Sequence, residues 1–310
     1  MLQISTETEV AMFKKKKPIA MFKMIISMII FGSIGFLSEH TNLPSLELVF
    51  VRCFCATVCL SIFWILSGQF KREKWYGREV VHTLVCGFFL VCNWLFLFKA
   101  FGETSVTIAI SVYHLAPVLV LLFGSILYKE KLTFISIISM IICFAGTILI
   151  SNTSLYSFNQ FLSSGMIWAL LAALFYCFTT LTGKGIHHLS PLATTILQTL
   201  LGVMMLCPFV HFHLFTNLTH LNWIAVLTTG IIHTGIVYLL FFDSLRVLPT
   251  TLISILVFLD PCVAILLDIL FTGFHPNLLQ TLGIIFIFSG MAFTLIKKDK
   301  SVRKNQTVLD

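Results

Sequence analysis

The sequence predicts an all-α polytopic membrane protein in which ten transmembrane helices form two inverted repeats of five helices each. Three observations predict this fold class: the apolar composition, the one-sided distribution of basic residues, and a weak internal repeat. Of the 310 residues, 58% are hydrophobic and only 11% are charged, and the mean hydropathy is +0.98. Soluble domains are nearer half apolar and a quarter charged, so the composition indicates a chain that crosses a membrane several times.

The ten helices are predicted from apolar segments of membrane-spanning length. Each segment holds the roughly 20 helical residues that cross a bilayer core. Numbered as spans 1 to 10, they cover 19–38, 46–67, 79–99, 104–127, 133–151, 164–182, 191–212, 222–242, 249–272 and 277–296. The connections are short and carry turn residues such as Gly68, Gly77 and Pro249, so no soluble domain fits between the spans.

The basic residues predict the orientation of the spans. With the N-terminus inside, one side of the membrane carries 14–17, the 71–78 loop, Lys129, Lys131, Lys184, Arg246 and the 297–304 tail. The opposite loops 39–45, 152–163, 213–221 and 273–276 contain neither Lys nor Arg. Because basic loops stay cytoplasmic, we expect both termini in the cytoplasm and the chain in a bacterial inner (plasma) membrane. The same asymmetry explains the net charge of +7 without a nucleic-acid partner.

The same pattern predicts the domain organisation. A cytoplasmic N-terminal segment (1–18) precedes a first five-helix repeat (19–151), and an outer linker (152–163) leads to a second repeat (164–296) and a basic cytoplasmic tail (297–310). The N-terminus could also indicate a signal peptide, but further spans follow at once, which favours a retained span. All nine Cys fall in apolar runs, so we expect them to pack between helices rather than form disulfides.

The repeat itself is weak in sequence. A shift of 144 residues, the separation of Pro117 from Pro261, also aligns Gly146 with Gly290, yet it gives only eight identities over 98–150. Five spans are an odd number, so a second repeat of five must lie inverted in the membrane. Inverted repeats with a binding site at their interface are common among transporters.

Span 4 contains the first candidate site residues. Thr107, Ser111 and His114 fall at i, i+4 and i+7 on one helical face, followed by Pro117. Proline frees the carbonyl of Tyr113 from its helical hydrogen bond, and that acceptor then needs another partner. These groups either line a cavity or bond to neighbouring helices, and both interpretations stay open.

Span 9 carries an acidic counterpart. Asp260 directly precedes Pro261 near the middle of the span, where an ionisable side chain is costly and usually functional. It could bind a cationic amine, take up a coupling proton, or make a structural hydrogen bond. Asp268 lies two turns further along and is expected to pair with Arg52 of span 2 in a structural or gating role.

Spans 3 and 8 add polar and aromatic candidates. His233 and Tyr238 lie in span 8, and Asn93 and Trp94 lie in span 3. A single His or Asn in a bundle is as often an interhelical hydrogen-bond donor as a ligand. Their joint occurrence with Tyr113 favours a substrate site near mid-membrane.

Enzymatic and metal functions find little support. The 32–35 segment resembles an intramembrane serine-protease motif only loosely, with no suitably placed His expected. His211, His213 and His220 cluster in an outer loop, where no Cys or carboxylate is expected beside them. No phosphate-binding glycine loop is present. We therefore expect no catalytic residue, metal or cofactor.

Taken together, these residues identify a family. The ten spans, the Pro in spans 4 and 9 and four local motifs resemble the drug/metabolite transporter superfamily, EamA-like branch. The motifs are Asn93-Trp-Leu-Phe-Leu-Phe-Lys-Ala-Phe, Thr104-Ser-Val-Thr-Ile-Ala-Ile-Ser-Val-Tyr-His-Leu-Ala-Pro, His233-Thr-Gly-Ile-Val-Tyr and Phe258-Leu-Asp-Pro. The resemblance covers roughly 19–296. The second repeat departs from it by having Gly273, Phe274 and His275 where such proteins usually have an acidic residue.

The resemblance implies a secondary transporter of small organic metabolites, amino-acid-like solutes foremost, working by alternating access, with efflux as one direction. By position it implies substrate contacts from the residues Asn93, Trp94, Tyr113, His114, His233, Tyr238 and Asp260. Arg52, Asp260 and Asp268 are the candidates for coupling or gating. The implied partners are a small-molecule substrate and the lipid bilayer, with a homodimer as one possible assembly. Alternatives are a membrane sensor or assembly subunit that transports nothing, and a carrier of nucleotide-related metabolites.

Overall fold

The computed structural model describes residues 2–103, 106–130, 132–151, 165–272 and 275–306, and every regular element in these ranges is helical. Apolar residues dominate the helices, which keeps backbone polar groups paired inside each segment, as a bilayer requires. The first half contains α1 (Leu2–Gly32), α2 (Ile34–Glu39), α3 (Ser45–Leu66), α4 (Gly77–Glu103), α5 (Val106–Tyr113), α6 (Ala116–Leu127) and α7 (Phe134–Ser151).

The second half has a similar series. It contains α8 (Met166–Lys184), α9 (Pro191–Leu206), α10 (His220–Gly230), α11 (Val237–Leu245), α12 (Thr250–Leu256), α13 (Leu259–Leu267) and α14 (Leu278–Gln306). A π-helical turn at Ile231–Ile236 joins α10 to α11, and another at Asp268–Thr272 follows α13. Short 3-10 turns lie at Gln69–Arg72, Cys207–Phe209 and Phe212–Asn217.

Six helical stretches in the described ranges are long and apolar enough to cross a membrane. They are Ser45–Leu66, Gly77–Glu103, Met166–Lys184, Pro191–Phe209, His220–Leu245 and Thr250–Phe271. Large apolar side chains on their outer faces are exposed, Leu66 by 81% and Ile224 by 61% for example. Apolar exposure on this scale suits lipid rather than water, so the chain is an integral membrane protein.

Two predicted spans are broken at their prolines. α5 ends at Tyr113, and α6 begins at Ala116 with Pro117 in its first turn. In the second half, α12 ends at Leu256 and α13 begins at Leu259, which places Pro261 in the first turn of α13. Proline is tolerated in a first turn because its missing N–H would be unpaired there anyway. Both breaks place a short non-helical segment inside a predicted span.

Span 1 departs from its predicted limits of 19–38. α1 begins at Leu2, includes Pro18, and ends at Gly32, and the helix resumes as α2 after Ser33. At the break, an added Cβ on Gly32 would come within 2.7 Å of the backbone oxygen of Asp260. The missing side chain therefore lets α1 approach α13 closely.

The helices pack as pairs that draw partners from both halves of the chain. α7 lies along α14, α4 along α8, α3 along α9, α1 along α11 and α6 along α12. At the α7–α14 contact, a Cβ on Gly146 would lie 2.6 Å from the carbonyl oxygen of Gly283, and one on Gly290 would lie 2.6 Å from the Cys143 sulfur. Small residues allow such close backbone approach between membrane helices.

Candidate substrate cavity between the two halves

A cavity lies where the broken helices meet the central pairs. Its empty space, with the open mouth included, is about 520 Å³. Its wall is formed by α1 to α5, α8, α11, α13 and the break between α12 and α13. The lining residues are Met28, Phe31, Ile34, Arg52, Asn93, Trp94, Leu97, Phe98, Tyr113, Tyr176, Tyr238, Val257 and Asp260.

One part of the wall is an aromatic cluster fixed by a hydrogen bond. The indole Nε1 of Trp94 donates to the hydroxyl of Tyr238 at 2.8 Å, and the two rings meet edge to face with centroids 5.2 Å apart. The ring of Phe31 lies 5.1 Å from that of Tyr238. Edge-to-face packing holds all three rings in defined positions, so the cavity has a rigid apolar surface.

A second part of the wall is formed by Tyr113 and its neighbours. The Asn93 side-chain amide donates to the Ala172 carbonyl at 2.8 Å and to the Tyr113 hydroxyl at 3.3 Å. The rings of Tyr113 and Tyr176 meet edge to face at 5.7 Å. Asn93 is 1% exposed, so its main contribution is to fix the Tyr113 hydroxyl at the wall.

Arg52 is a buried cation on this wall, with 2% of its surface exposed. Its Nε donates to the Thr234 hydroxyl at 3.0 Å, and one terminal nitrogen lies 3.5 Å from the His233 carbonyl oxygen. The guanidinium carbon lies 5.2 Å from the ring centroid of Trp94 and 5.1 Å from that of Phe98. The other terminal nitrogen, Nη1, has no hydrogen-bond partner among the described residues.

The position of Arg52 follows from a close contact between α3 and the start of the π-helical turn. A Cβ on Gly230 would lie 2.5 Å from the Cβ of Cys55 and 3.5 Å from the Cα of Arg52. α3 therefore approaches the turn closely at Gly230. The π-helical turn also leaves the His233 carbonyl free to face Arg52, as π-bulges often do at functional sites.

Asp260 supplies a negative group to the same cavity. It lies in the first turn of α13, where the positive end of the helix dipole favours a carboxylate. No described residue donates a hydrogen bond to its side chain, and the ion pairs within 4.0 Å in the described ranges include neither Asp260 nor Arg52. Two opposite charges thus line one cavity without pairing with each other.

The two predicted site histidines do not lie on the cavity wall. His114 Nδ1 is 2.7 Å from the Ile110 carbonyl oxygen, and the His114 ring stacks at 5.9 Å from that of Phe258. His233 Nε2 is 2.8 Å from the Ser33 hydroxyl oxygen. Both rings are turned towards neighbouring backbone or helices because the helices break or widen at these residues. The contact of His233 also corrects the expectation that no His is placed near the 32–35 segment.

Some predicted site residues lie outside the described side chains. The side chains of Asp268, Thr107 and Ser111 belong to this group, so the pairing of Asp268 with Arg52 stays a prediction. In the outer loop, His211 Nδ1 lies 3.0 Å from Glu47 Oε1, and the expectation that no carboxylate accompanies these histidines is therefore wrong. No cluster of three or more metal-binding side chains occurs among the residues that the structure describes.

The sequence analysis missed a polar network at the far ends of the helices, which we call the Glu130 network and which consists of Glu130, Lys184, Leu248 and Thr250. Glu130 Oε2 accepts from the Thr250 backbone N–H at 2.9 Å and from the Thr250 hydroxyl at 2.6 Å. Lys184 Nζ lies 3.4 Å from Glu130 Oε1 and donates to the Leu248 carbonyl at 2.5 Å. Glu130 thereby caps α12 and ties the ends of α6 and α8 to it.

A second carboxylate binds backbone at the same end of the bundle. Glu79, in the first turn of α4, accepts from the backbone N–H groups of His187 at 2.5 Å, His188 at 2.8 Å and Leu189 at 3.0 Å. Lys23 and Asp243 form a further ion pair at 2.5 Å between α1 and α11. The acidic residues beside basic loops were the available signal in the sequence, but their partners come from distant parts of the chain.

Comparisons with known proteins give a consistent result. A model described as the EamA-like transporter family matches residues 18–152 and again residues 163–296. The chain is similar to the uncharacterized transporter YxxF of Bacillus subtilis (strain 168), with 67% identity over 285 residues that cover 92% of both chains. It is also similar to an uncharacterized transporter of Clostridium kluyveri, with 22% identity over 278 residues that cover 86% of this chain and 89% of the relative.

A solved crystal structure has a similar fold. It superimposes with a TM-score of 0.77 and covers 92% of this chain and 99% of the other, at 16% sequence identity. At this identity the similarity concerns the fold alone.

Proposed function

Because the chain belongs to the EamA-like transporter family, we propose that it is a secondary transporter of small organic metabolites, with amino-acid-like solutes as its substrates. The observation that carries this proposal is the cavity inside the bundle, which is lined by aromatic rings and by two charged residues, Arg52 and Asp260, that do not pair with each other. An apolar site with a few convergent polar groups is the usual form of a small-molecule site. Asp260 would bind an amine or a coupling proton, and Trp94, Tyr113 and Tyr238 would contact an apolar portion.

The architecture that we propose for transport is ten spans in two inverted five-helix repeats, 19–151 and 164–296. Two matches to one family model support a repeat. The helix pairs support it too, because exchanging the halves converts the α1–α11 pair into the α8–α4 pair. The same exchange leaves the α3–α9, α6–α12 and α7–α14 pairs unchanged. A binding site at the interface of such repeats is typical of secondary transporters.

Alternating access would then proceed from the state described above. The Glu130 network and the Glu79 contacts lie at the ends of the bundle where the basic loops lie, and the cavity residues lie nearer the middle and the opposite ends. With both termini in the cytoplasm of a bacterial cell, this state is closed on the inside. Release of the network would open the inner side and allow passage in either direction, including efflux.

The role of Asp260 can be tested by flux measurements in proteoliposomes. Asp260→Asn keeps the size of the side chain and removes its charge, so we expect transport of cationic or zwitterionic solutes to fall by at least tenfold, equivalent to about 1.4 kcal/mol. Glu103→Gln is the matched control, because the Glu103 side chain is 45% exposed at the end of α4 and away from the cavity. Unchanged transport and unchanged pH dependence in Asp260→Asn would reject this role.

A further inference from the structure

Arg52 is a buried charge for which the described residues provide no counter-ion. A guanidinium has five N–H donors, and two of them donate here, to Thr234 and to the His233 carbonyl. Nη1 has no partner, although burying a charge is costly unless it is paired. A costly group that persists on the wall of a cavity points to a ligand that completes its bonding.

The surroundings of Arg52 select the type of ligand. Trp94 and Phe98 hold the guanidinium by contacts between the cation and the ring faces, and Thr234 fixes the Nε edge. The donors that remain belong to the terminal nitrogens. A planar guanidinium held in this way suits a carboxylate, which accepts two parallel hydrogen bonds from it.

Asp260 adds the second half of the recognition. It lines the same cavity as Arg52, but the two side chains are not within the 4.0 Å of an ion pair. A positive group and a negative group therefore line one cavity without forming an ion pair, and aromatic rings line the same cavity. A purely cationic solute would leave Arg52 uncompensated, and a purely anionic solute would leave Asp260 uncompensated.

We propose that the substrate is a zwitterion whose carboxylate binds Arg52 and whose ammonium group binds Asp260, with an apolar portion against Trp94 and Tyr238. This inference rests on the proposed function, because it names the substrate class of the same cavity. It assigns Arg52 to substrate binding in addition to the structural or gating role that the sequence indicated. It also explains why two opposite charges line one apolar cavity without pairing with each other.

Ligand binding to the purified protein, measured by thermal shift, tests the proposal. The probes are the 20 common amino acids together with three analogues of phenylalanine: phenylalaninamide, 3-phenylpropionate and 2-phenylethylamine. We expect zwitterions to bind the wild type, and each analogue that lacks one charge to bind at least about tenfold more weakly than phenylalanine, since hydrogen bonds to charged groups are strong. In Arg52→Gln, phenylalanine and phenylalaninamide should bind equally.

Matched variants separate recognition from folding. Arg246→Gln is the control, because Arg246 donates to the Leu189 carbonyl and to the Thr194 hydroxyl outside the cavity, and it should keep the preference for the carboxylate. If Arg52→Gln does not fold, Arg52→Lys keeps the charge without the planar fork and should lose part of that preference. If Arg52 binds the ligand and does not pair with Asp268, Asp268→Asn should leave the preference for the carboxylate unchanged.

Three outcomes would overturn the inference. They are equal binding of phenylalanine and phenylalaninamide to the wild type, a carboxylate preference that survives Arg52→Gln, and a lack of binding by every zwitterion in the panel. The proposed function has a separate test, which is flux of any organic solute through proteoliposomes. Flux of solutes that carry no carboxylate would support transport activity and reject the zwitterionic substrate. The absence of all flux would reject transport activity itself.

Discussion

Removal of the Glu130 carboxylate is the perturbation that tests the Glu130 network most sharply. The side chain accepts two hydrogen bonds from Thr250, at 2.9 Å from the backbone N–H and at 2.6 Å from the hydroxyl. It also lies 3.4 Å from Lys184, with side-chain exposures of 20% and 13% for the two partners. Glu130→Ala removes all of these contacts and leaves the first turn of α12 without its cap.

The expected cost follows from these contacts. Hydrogen bonds to a charged acceptor contribute about 1.5–3 kcal/mol, and loss of a helix cap costs about 0.5–2 kcal/mol. The two bonds share one oxygen and form one cap, so we expect a total of about 2–4 kcal/mol in the free energy of local opening. Glu130→Gln keeps an acceptor oxygen and loses the charge, so its cost should be about 1 kcal/mol.

Hydrogen exchange of the backbone amides at 250–253 measures this opening directly. A cost of 2–4 kcal/mol corresponds to exchange that is about 30- to 700-fold faster in Glu130→Ala, with Glu130→Gln between it and the wild type. Glu103→Ala is the control, because its pair with Lys99 at 3.8 Å is nearly half exposed and should not affect α12. Exchange within about twofold of the wild type in Glu130→Ala would refute the assignment of this network.

Two further predictions concern packing and the aromatic wall. Gly146→Leu should lower the stability by about 1–3 kcal/mol, because its Cβ would lie 2.6 Å from the backbone oxygen of Gly283. Thermal unfolding measures this change, and Gly102→Leu is the control, because a Cβ on Gly102 would meet open space. An equal melting temperature for both variants would contradict the prediction. Trp94→Phe removes the donor to Tyr238 at 2.8 Å and should cost about 1 kcal/mol in thermal unfolding, whereas an unchanged melting temperature would indicate that this bond does not hold the wall.

Much of the cavity could be predicted because its polar members stand out in apolar spans. Asn93, Tyr113 and Asp260 interrupt long hydrophobic runs, and Pro117 and Pro261 mark the places where helices must break. The structure places the three polar residues on one cavity wall and places both prolines in first turns. Their substrate contacts stay predictions until they are tested by binding.

The orientation of the histidines could not be predicted from a regular helical period. His114 follows the end of α5, and His233 lies in the π-helical turn Ile231–Ile236. A π-helical turn shifts the phase of the helix relative to a period of about 3.6 residues, so residues that share a face in the pattern no longer share it in the structure. Pro117 marked the break after α5 but not the direction of the His114 ring, and no such residue marked the π-helical turn.

Other parts of the site depend on contacts between distant segments. Tyr176 lines the cavity, but the sequence does not distinguish an aromatic residue that lines a cavity from one that faces lipid or packs in the core. Glu130 and Thr250 are 120 residues apart in the chain, so their pairing follows from the tertiary fold alone. The pairing of helices from the two halves of the chain likewise follows from the tertiary fold alone.

Solute counterflow tests whether this chain moves zwitterionic, amino-acid-like solutes across a membrane. Proteoliposomes containing the wild-type protein would be loaded with a mixture of unlabelled amino acids and diluted into buffer that contains the labelled mixture. We expect transient accumulation of at least one labelled amino acid above the level in protein-free liposomes, and we expect Arg52→Gln to abolish it. Labelled amino acids that equilibrate equally in both kinds of liposome would contradict it.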